Sequence, residues 1–237
     1  MTISAVDLLH QESRVMRTTL RRSHPLAGML IASVLAGPAA AQVHERFFIR
    51  GGPAYANFDA SAHVSVAGVD VPGGDVSVHS NTGAAVEAGY VLNPNWHLTF
   101  AFGIPPKARI FGAGTLAAAG KLGEATYGPA VIGLLYVPLI EGPLRPYIGG
   151  GINYTVIFST HDAALTDLKV DNAAGAALQF GTEYVLSRQW SFFFDVKKIW
   201  LKTNAYGVIT TPTGSQAASA RVTLDPVILS TGLSFHF

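Results

Sequence analysis

Five charged residues fall at positions that strand alternation turns toward the inside of a closed structure: Arg50, Glu87, Glu183, Asp195 and Lys197. Two cations among three carboxylates suit either a paired network that fills space or a charged gate. Interior charges persist when they are paired, so a structural plug is the preferred reading. His97 and His236 fit the same interior as polar fillers. Catalysis finds little footing. The sequence has no Gly-x-Ser-x-Gly elbow for a nucleophilic serine. It also has no His-x-x-x-His spacing for a metal. His161 and Asp162 are adjacent, and neighbours in sequence rarely reach relay geometry. Gly149-Gly150-Gly151 lies inside a strand pattern without a following helix, so it is no phosphate loop. Neither an enzyme nor a cofactor is expected.

The elements that must position these charges follow from composition. The chain of 237 residues is 49% hydrophobic and only 13% charged, with mean hydropathy +0.32. Soluble domains carry about 25% charged residues, so the apolar surface must be kept from water in another way. Past Ala41 no apolar run approaches the roughly 18–20 residues of a membrane-spanning helix. Lipid admits only helices and closed barrels, because every backbone polar group there needs an internal partner. A barrel remains. The absence of cysteine fits an envelope protein held by barrel closure rather than by disulfides.

The first 41 residues read as a removable secretion signal. Arg14, Arg17, Arg21 and Arg22 form a basic region, Leu26 to Leu35 an apolar one, and Ala39-Ala40-Ala41 a small-residue cleavage site, giving a mature start at Gln42. The basic region lies far from Met1, which makes Met16 an alternative translation start. Removing four Arg, Asp7 and Glu12 from 16 basic and 15 acidic residues leaves 12 against 13, a net charge of −1. No basic field for nucleic acid remains.

Along residues 42–237 the dominant signal is alternation. Trp96, Leu98, Phe100, Phe102 and Ile104 share one face, and His97, Thr99, Ala101 and Gly103 the other. Leu178, Phe180, Thr182 and Tyr184 likewise oppose Gln179, Gly181 and Glu183, which puts a carboxylate in the lumen rather than in lipid. Strands are predicted near 46–57, 83–92, 96–104, 127–137, 145–158, 174–186, 190–202 and 220–237. Between them, three short turn-rich links (93–95, 138–144, 187–189) alternate with four long ones (58–82, 105–126, 159–173, 203–219). That is the pattern of an all-β, eight-stranded, antiparallel up-and-down transmembrane barrel with long extracellular loops and short periplasmic turns. The stretch Tyr90 to Trp96 is echoed by Tyr184 to Trp190, bracketing two short turns with the aromatics of an interfacial girdle. Residues 163–168 suggest a turn or two of helix in the third loop.

Three segments carry a resemblance: Arg145 to Thr155, Trp190 to Ile199, and Leu224-Asp225-Pro226-Val227 through Gly232 to Phe237, supported by Lys121-Leu122-Gly123-Glu124. Together they resemble the OmpW family of outer-membrane proteins, AlkL-like members included, over essentially the whole mature chain. The resemblance implies a narrow apolar lumen that admits small hydrophobic molecules such as alkanes.

An eight-stranded barrel is narrow enough for its side chains to fill. Gly52, Ala54, Ala85, Gly89, Ala101, Gly103, Gly149 and Gly151 are small inward positions; they either leave a channel or permit tight packing. Ile110, Phe111, Leu116, Leu165, Leu168 and Val170 either line an extracellular mouth for apolar ligands or pack the loops into a cap. Gly151 and Pro226 are sites where an interrupted ladder would open a lateral exit. The expected function is passive diffusion of small hydrophobic compounds across the outer membrane. The alternative is a plugged structural or adhesive barrel of the OmpX kind, acting through its loops. Expected partners are outer-membrane lipid and lipopolysaccharide, small hydrophobic permeants, and phage or bacteriocin at the loops, with the barrel a monomer because closure leaves no free edge.

Overall fold

Alternating strands of this length cannot leave an edge unpaired in lipid, and the chain closes accordingly. The computed structural model describes residues 45–104, 106–211 and 214–237. The predicted secretion signal at 1–41 lies outside them. The wall is built by β1 (Phe47–Asn57), β5 (Asn81–Asn93), β6 (Trp96–Gly103), β8 (Lys121–Tyr136), β9 (Leu144–Asp162), β11 (Ala173–Val185), β12 (Trp190–Thr211) and β14 (Val227–His236). Each pairs antiparallel with the next, and β14 returns to β1 with Arg50 opposite Ser234. Eight strands thus form a closed ring.

The long connections are not irregular loops. Residues 58–82 hold β2 (Ser61–Val66), β3 (Val69–Asp70) and β4 (Gly74–Val78), and residues 105–126 hold β7 (Lys107–Gly114) and the start of β8. The third connection contains β10 (Leu165–Val170), so the predicted helical turn at 163–168 is a bend at Ala163-Ala164 followed by strand instead. Leu165 and Val170 pair with Ile209 and Ala205, and that ladder outcompetes an isolated turn of helix. The last predicted strand, 220–237, is two strands. β13 (Gly214–Thr223) continues a hairpin with β12, and the chain breaks at Leu224-Asp225-Pro226 before β14. Pro226 has no N–H to offer a ladder, and Asp225 sits at φ 33°, a conformation no strand maintains. Above the ring the wall continues as two sheets, β4–β7–β8–β9 and β10–β12–β13–β2–β3.

The outer face is apolar and uncovered. Ile132 is 59% and Ile152 70% exposed, with Leu98, Phe100, Phe180 and Phe192 also bare. A continuous apolar surface of this kind belongs against lipid. At the short-turn end Trp96 packs edge-on to Tyr136 at 5.2 Å, and Trp190 lies 4.9 Å from Phe235, forming the interfacial girdle. The turns there are tied locally: Asn93 Oδ1 accepts from the backbone N–H of Asn95 and of Trp96, and Ser187 Oγ from that of Trp190.

Candidate functional site: a charged plug beneath an apolar vestibule

The two-residue period brings Arg50 (β1), Glu87 (β5), Glu183 (β11), Asp195 and Lys197 (both β12) into the lumen, and all five are buried. They form one network. Arg50 donates to Glu87 at 2.5 Å and to Glu183 at 3.3 Å, and lies 3.6 Å from Asp195. Lys197 spans Glu87 at 3.0 Å and Asp195 at 2.6 Å. Neutral donors add to these carboxylates: Tyr147 O–H to Asp195 at 2.8 Å, and the Gln179 amide to Asp195 at 2.6 Å and to Glu87 at 3.2 Å. The guanidinium also sits over the rings of Tyr147, Phe193 and Phe48, with centroids 4.6, 5.2 and 5.6 Å away. Charge and aromatic packing together tie β1, β5, β9, β11 and β12 to one another across the periplasmic half of the lumen.

His236 Nε2 lies 3.1 Å from Glu183 Oε2 and 3.2 Å from Ser234 Oγ. Both contacts fall on the same ring nitrogen, so the imidazole does not bridge acid and hydroxyl as a nucleophilic relay requires. His97 packs against Phe48 at 5.8 Å. His161 stands opposite Glu124 in the β8–β9 ladder, while the Asp162 carboxylate accepts from the backbone of Asp167 and Leu168. The adjacent pair thus turns to different partners.

The eight small inward residues divide by height. At Gly89 a side chain would occupy the space of the Phe48 ring, and at Gly149 that of Leu135, so these glycines admit the bulk that fills the lower lumen. Gly52 and Gly151 abut backbone of neighbouring strands. Ala54, Ala85, Ala101 and Gly103 instead line a cavity of about 60 Å³. The two readings of the small residues therefore hold at different levels of one barrel.

Above the plug lies a larger, almost wholly apolar cavity of about 120 Å³, the vestibule. Of the residues expected at a mouth, Ile110, Leu116, Leu165, Leu168 and Val170 line it. Phe111 does not: it follows Ile110 in β7, faces the opposite side of the sheet, and stacks on His79 at 4.2 Å. Sequence reasoning missed the lining from β2, β4 and β13: Val64, Val66, Val76, Val78, Ala218, Ala220 and Val222. Their signal was present as a two-residue alternation within stretches read as loops.

The smaller cavity lies against the wall beside β6 and β8. Its lining runs from lumen-facing Ala101, Gly103 and Ser230 to outward-facing Phe102 and Ile104, and it shares Ala56, Tyr127, Pro129 and Ile228 with the vestibule. Here the ladder beside β8 is interrupted. β6 pairs with β8 as far as Phe102 opposite Ala130, and β7 resumes at Lys107 opposite Thr126. Between them, among the described residues, the Tyr127 N–H to Pro106 carbonyl bond of 3.2 Å bridges the gap. The interruptions expected at Gly151 and Pro226 are placed differently. Gly151 sits in an intact ladder opposite Gly133 and Ala177. The Pro226 carbonyl accepts from Ile199 N–H at 3.0 Å, so that break stays stitched to β12.

A closed eight-stranded ring, an apolar belt bounded by aromatics and a plugged lumen define a small outer-membrane β-barrel. The OmpW family profile matches residues 44–237, and the chain belongs to the OmpW family. Among its relatives, the dibenzothiophene metabolism operon protein PahQ of Pseudomonas aeruginosa is 41% identical over 180 residues, covering 76% of this chain and 83% of PahQ. The outer membrane protein AlkL of Ectopseudomonas oleovorans is 28% identical over 222 residues, covering 88% and 95%. The crystal structure of the outer membrane protein OprG from Pseudomonas aeruginosa superposes with TM-score 0.76 at 25% identity, covering 81% of this chain and 95% of OprG. The protein resides in the outer membrane.

Proposed function

We propose that the barrel carries small hydrophobic compounds passively from the cell exterior into the outer membrane, through the vestibule and sideways out of the wall. The observation that carries this reading is the shared boundary of the two cavities: both are lined by Ala56, Tyr127, Pro129 and Ile228, and the second reaches Phe102 and Ile104, whose side chains are exposed on the outer face. The straight route meets the charged plug, where an apolar solute would have to displace a network of satisfied ion pairs. An apolar cavity holds water poorly and suits an apolar occupant. The names of PahQ, tied to dibenzothiophene metabolism, and of AlkL fit a cargo of this type. Strand-built extracellular extensions would also suit an adhesive barrel, but their inward face here is apolar rather than polar. The single-nitrogen contacts of His236 and the absence of a serine elbow give a catalytic reading no support.

Tyr127 is the partition on this path. Its hydroxyl and the Asn81 side chain bond reciprocally at 3.1 and 3.2 Å, and its ring meets Phe58 edge-on at 6.0 Å. The route is tested by Gly103→Phe, whose side chain would extend into the lateral cavity beside Pro129, measured as uptake of dibenzothiophene and of an alkane by cells with intact outer membranes. Apolar uptake is expected to fall about tenfold, a loss worth about 1.4 kcal/mol of barrier, with a polar solute unaffected and heat-modifiable gel migration unchanged. Normal apolar uptake by the folded variant would exclude this exit.

A further inference from the structure

The outward face of the wall carries a feature that the route leaves unused. On β7, Lys107 and Arg109 point away from the vestibule; on β8, so do Lys121 and Glu124. Glu124 gathers all three cations: Lys107 Nζ at 3.4 Å, Lys121 Nζ at 3.3 Å and Arg109 Nε at 3.9 Å. The cationic side chains are 61%, 66% and 42% exposed. Hydrogen bonding from Lys121 and Lys107 holds the Glu124 carboxyl below its ordinary range, so the acid stays ionised. Three cations around one carboxylate leave an excess of two positive charges in one small patch. Exposed pairs of this kind add little to stability.

The height of the patch is fixed by the girdle. Tyr136 marks the periplasmic interface on β8, and Thr126, opposite Lys107, lies ten residues further along the strand. At about 3.3 Å per residue and a tilt of about 40°, that is about 25 Å of barrel height, the full apolar band. Trp200, ten residues above Trp190 on β12 and 47% exposed, marks the same level elsewhere on the wall. The cations therefore begin where the outer leaflet's headgroups begin. Directly below them, Phe102, Ile104 and Phe158 are bare and offer apolar surface to acyl chains.

We infer that Lys107, Arg109 and Lys121, grouped around Glu124, form a binding site on the outer wall for the phosphorylated glucosamine headgroup of the outer-leaflet glycolipid, in which Glu124 only offsets part of their charge. A phosphate offers three acceptor oxygens to such a cluster. The acyl chains would lie beside the exit, but none of Lys107, Arg109, Lys121 and Glu124 lines either cavity, so uptake and headgroup retention can fail separately.

The test uses the full chain in detergent micelles, with native mass spectrometry reading retained bisphosphorylated lipid A against dephosphorylated lipid A. The triple variant K107Q/R109Q/K121Q is expected to retain lipid A about tenfold more weakly while still folded, and dephosphorylated lipid A to bind the native protein as weakly. Millimolar inorganic phosphate is expected not to displace the lipid. Full displacement by inorganic phosphate would assign the site to a soluble anion and overturn the lipid reading, as would equal retention by native protein and triple variant. Glu124→Gln keeps all three cations and is expected to retain lipid A at least as well. A loss matching the triple variant's would make the cluster merely structural and overturn the proposal.

Discussion

The two halves of the lumen are built from the same alternating strands and differ in nearly everything else. The periplasmic half turns Arg50, Glu87, Glu183, Asp195 and Lys197 inward, and the charges condense into a plug whose donors and acceptors are matched across the ring. The extracellular half turns valines, leucines, isoleucines and alanines inward, and a cavity remains. The contrast shows that strand number alone does not decide whether a narrow barrel fills its lumen or leaves a cavity. Charged side chains bridge the lumen because each must find a partner once desolvated. Aliphatic ones have no such directional demand, so they stop at van der Waals contact and leave space.

Breaking the plug should have the largest effect. Arg50 touches three carboxylates and three aromatic rings, and Arg50→Met would leave Glu87, Glu183 and Asp195 with Lys197 and the side chains of Tyr147, Gln179 and His236. The expected cost is about 3–5 kcal/mol, the range for removing one partner of a buried ion cluster. It is read as the urea midpoint of the barrel in micelles or, if severe, as loss of the heat-modifiable folded band. A midpoint unchanged from the native barrel would mean that lipid-facing contacts and the strand ladder alone hold the lower half, and the contrast between halves would lose its energetic basis.

Opening the partition comes next. Tyr127→Ala removes the ring that stands between vestibule and lateral cavity, and apolar uptake is expected to rise about threefold, with a stability loss of about 2 kcal/mol from the ring's burial. Tyr127→Phe keeps the ring but strands the Asn81 side chain; uptake should change less than twofold, at a cost of about 1 kcal/mol. Equal uptake in Tyr127→Ala and native protein would move the rate-limiting constriction elsewhere on the path.

The lower half and the belt were legible in the sequence, and the upper half was not, for a physical reason. Trp96 to Ile104 and Leu178 to Tyr184 alternate bulky apolar with small or polar residues, because lipid and lumen make opposite demands on adjacent positions. In the extension both faces relax: water replaces lipid outside, and the vestibule is apolar inside. Val64-Ser65-Val66 and Val76-Ser77-Val78 still alternate, but Ala67-Gly68 and Pro72-Gly73 cut the runs to lengths that read as loop. Ala217 to Ala220 lacks bulk altogether. Read as loop, the region lost its facing constraint, and Phe111 stood beside Ile110 as if both could line one mouth. Sequence alone points to an interrupted ladder at Gly151 and Pro226. It opens instead where Ile104 and Pro106 pass Pro129, a pairing of segments 25 residues apart that no local pattern reveals.

The finest test of the contrast therefore sits at those two neighbours. Ile110 faces the vestibule and Phe111 stacks outside on His79, so identical substitutions should diverge. Ile110→Ser places a hydroxyl in the apolar path. It should slow apolar uptake about threefold, the order expected when a polar group enters an otherwise apolar pocket. Phe111→Ser removes a half-buried ring stacked on His79 and should leave uptake within experimental error, with a stability loss of about 1 kcal/mol. The pair controls for expression and local strand propensity, since both residues leave the same strand for the same serine. If both variants slow uptake alike, the compound is being captured on the outside of the extension before it reaches the vestibule, and the face of β7 that carries His79 and Phe111 becomes part of the path.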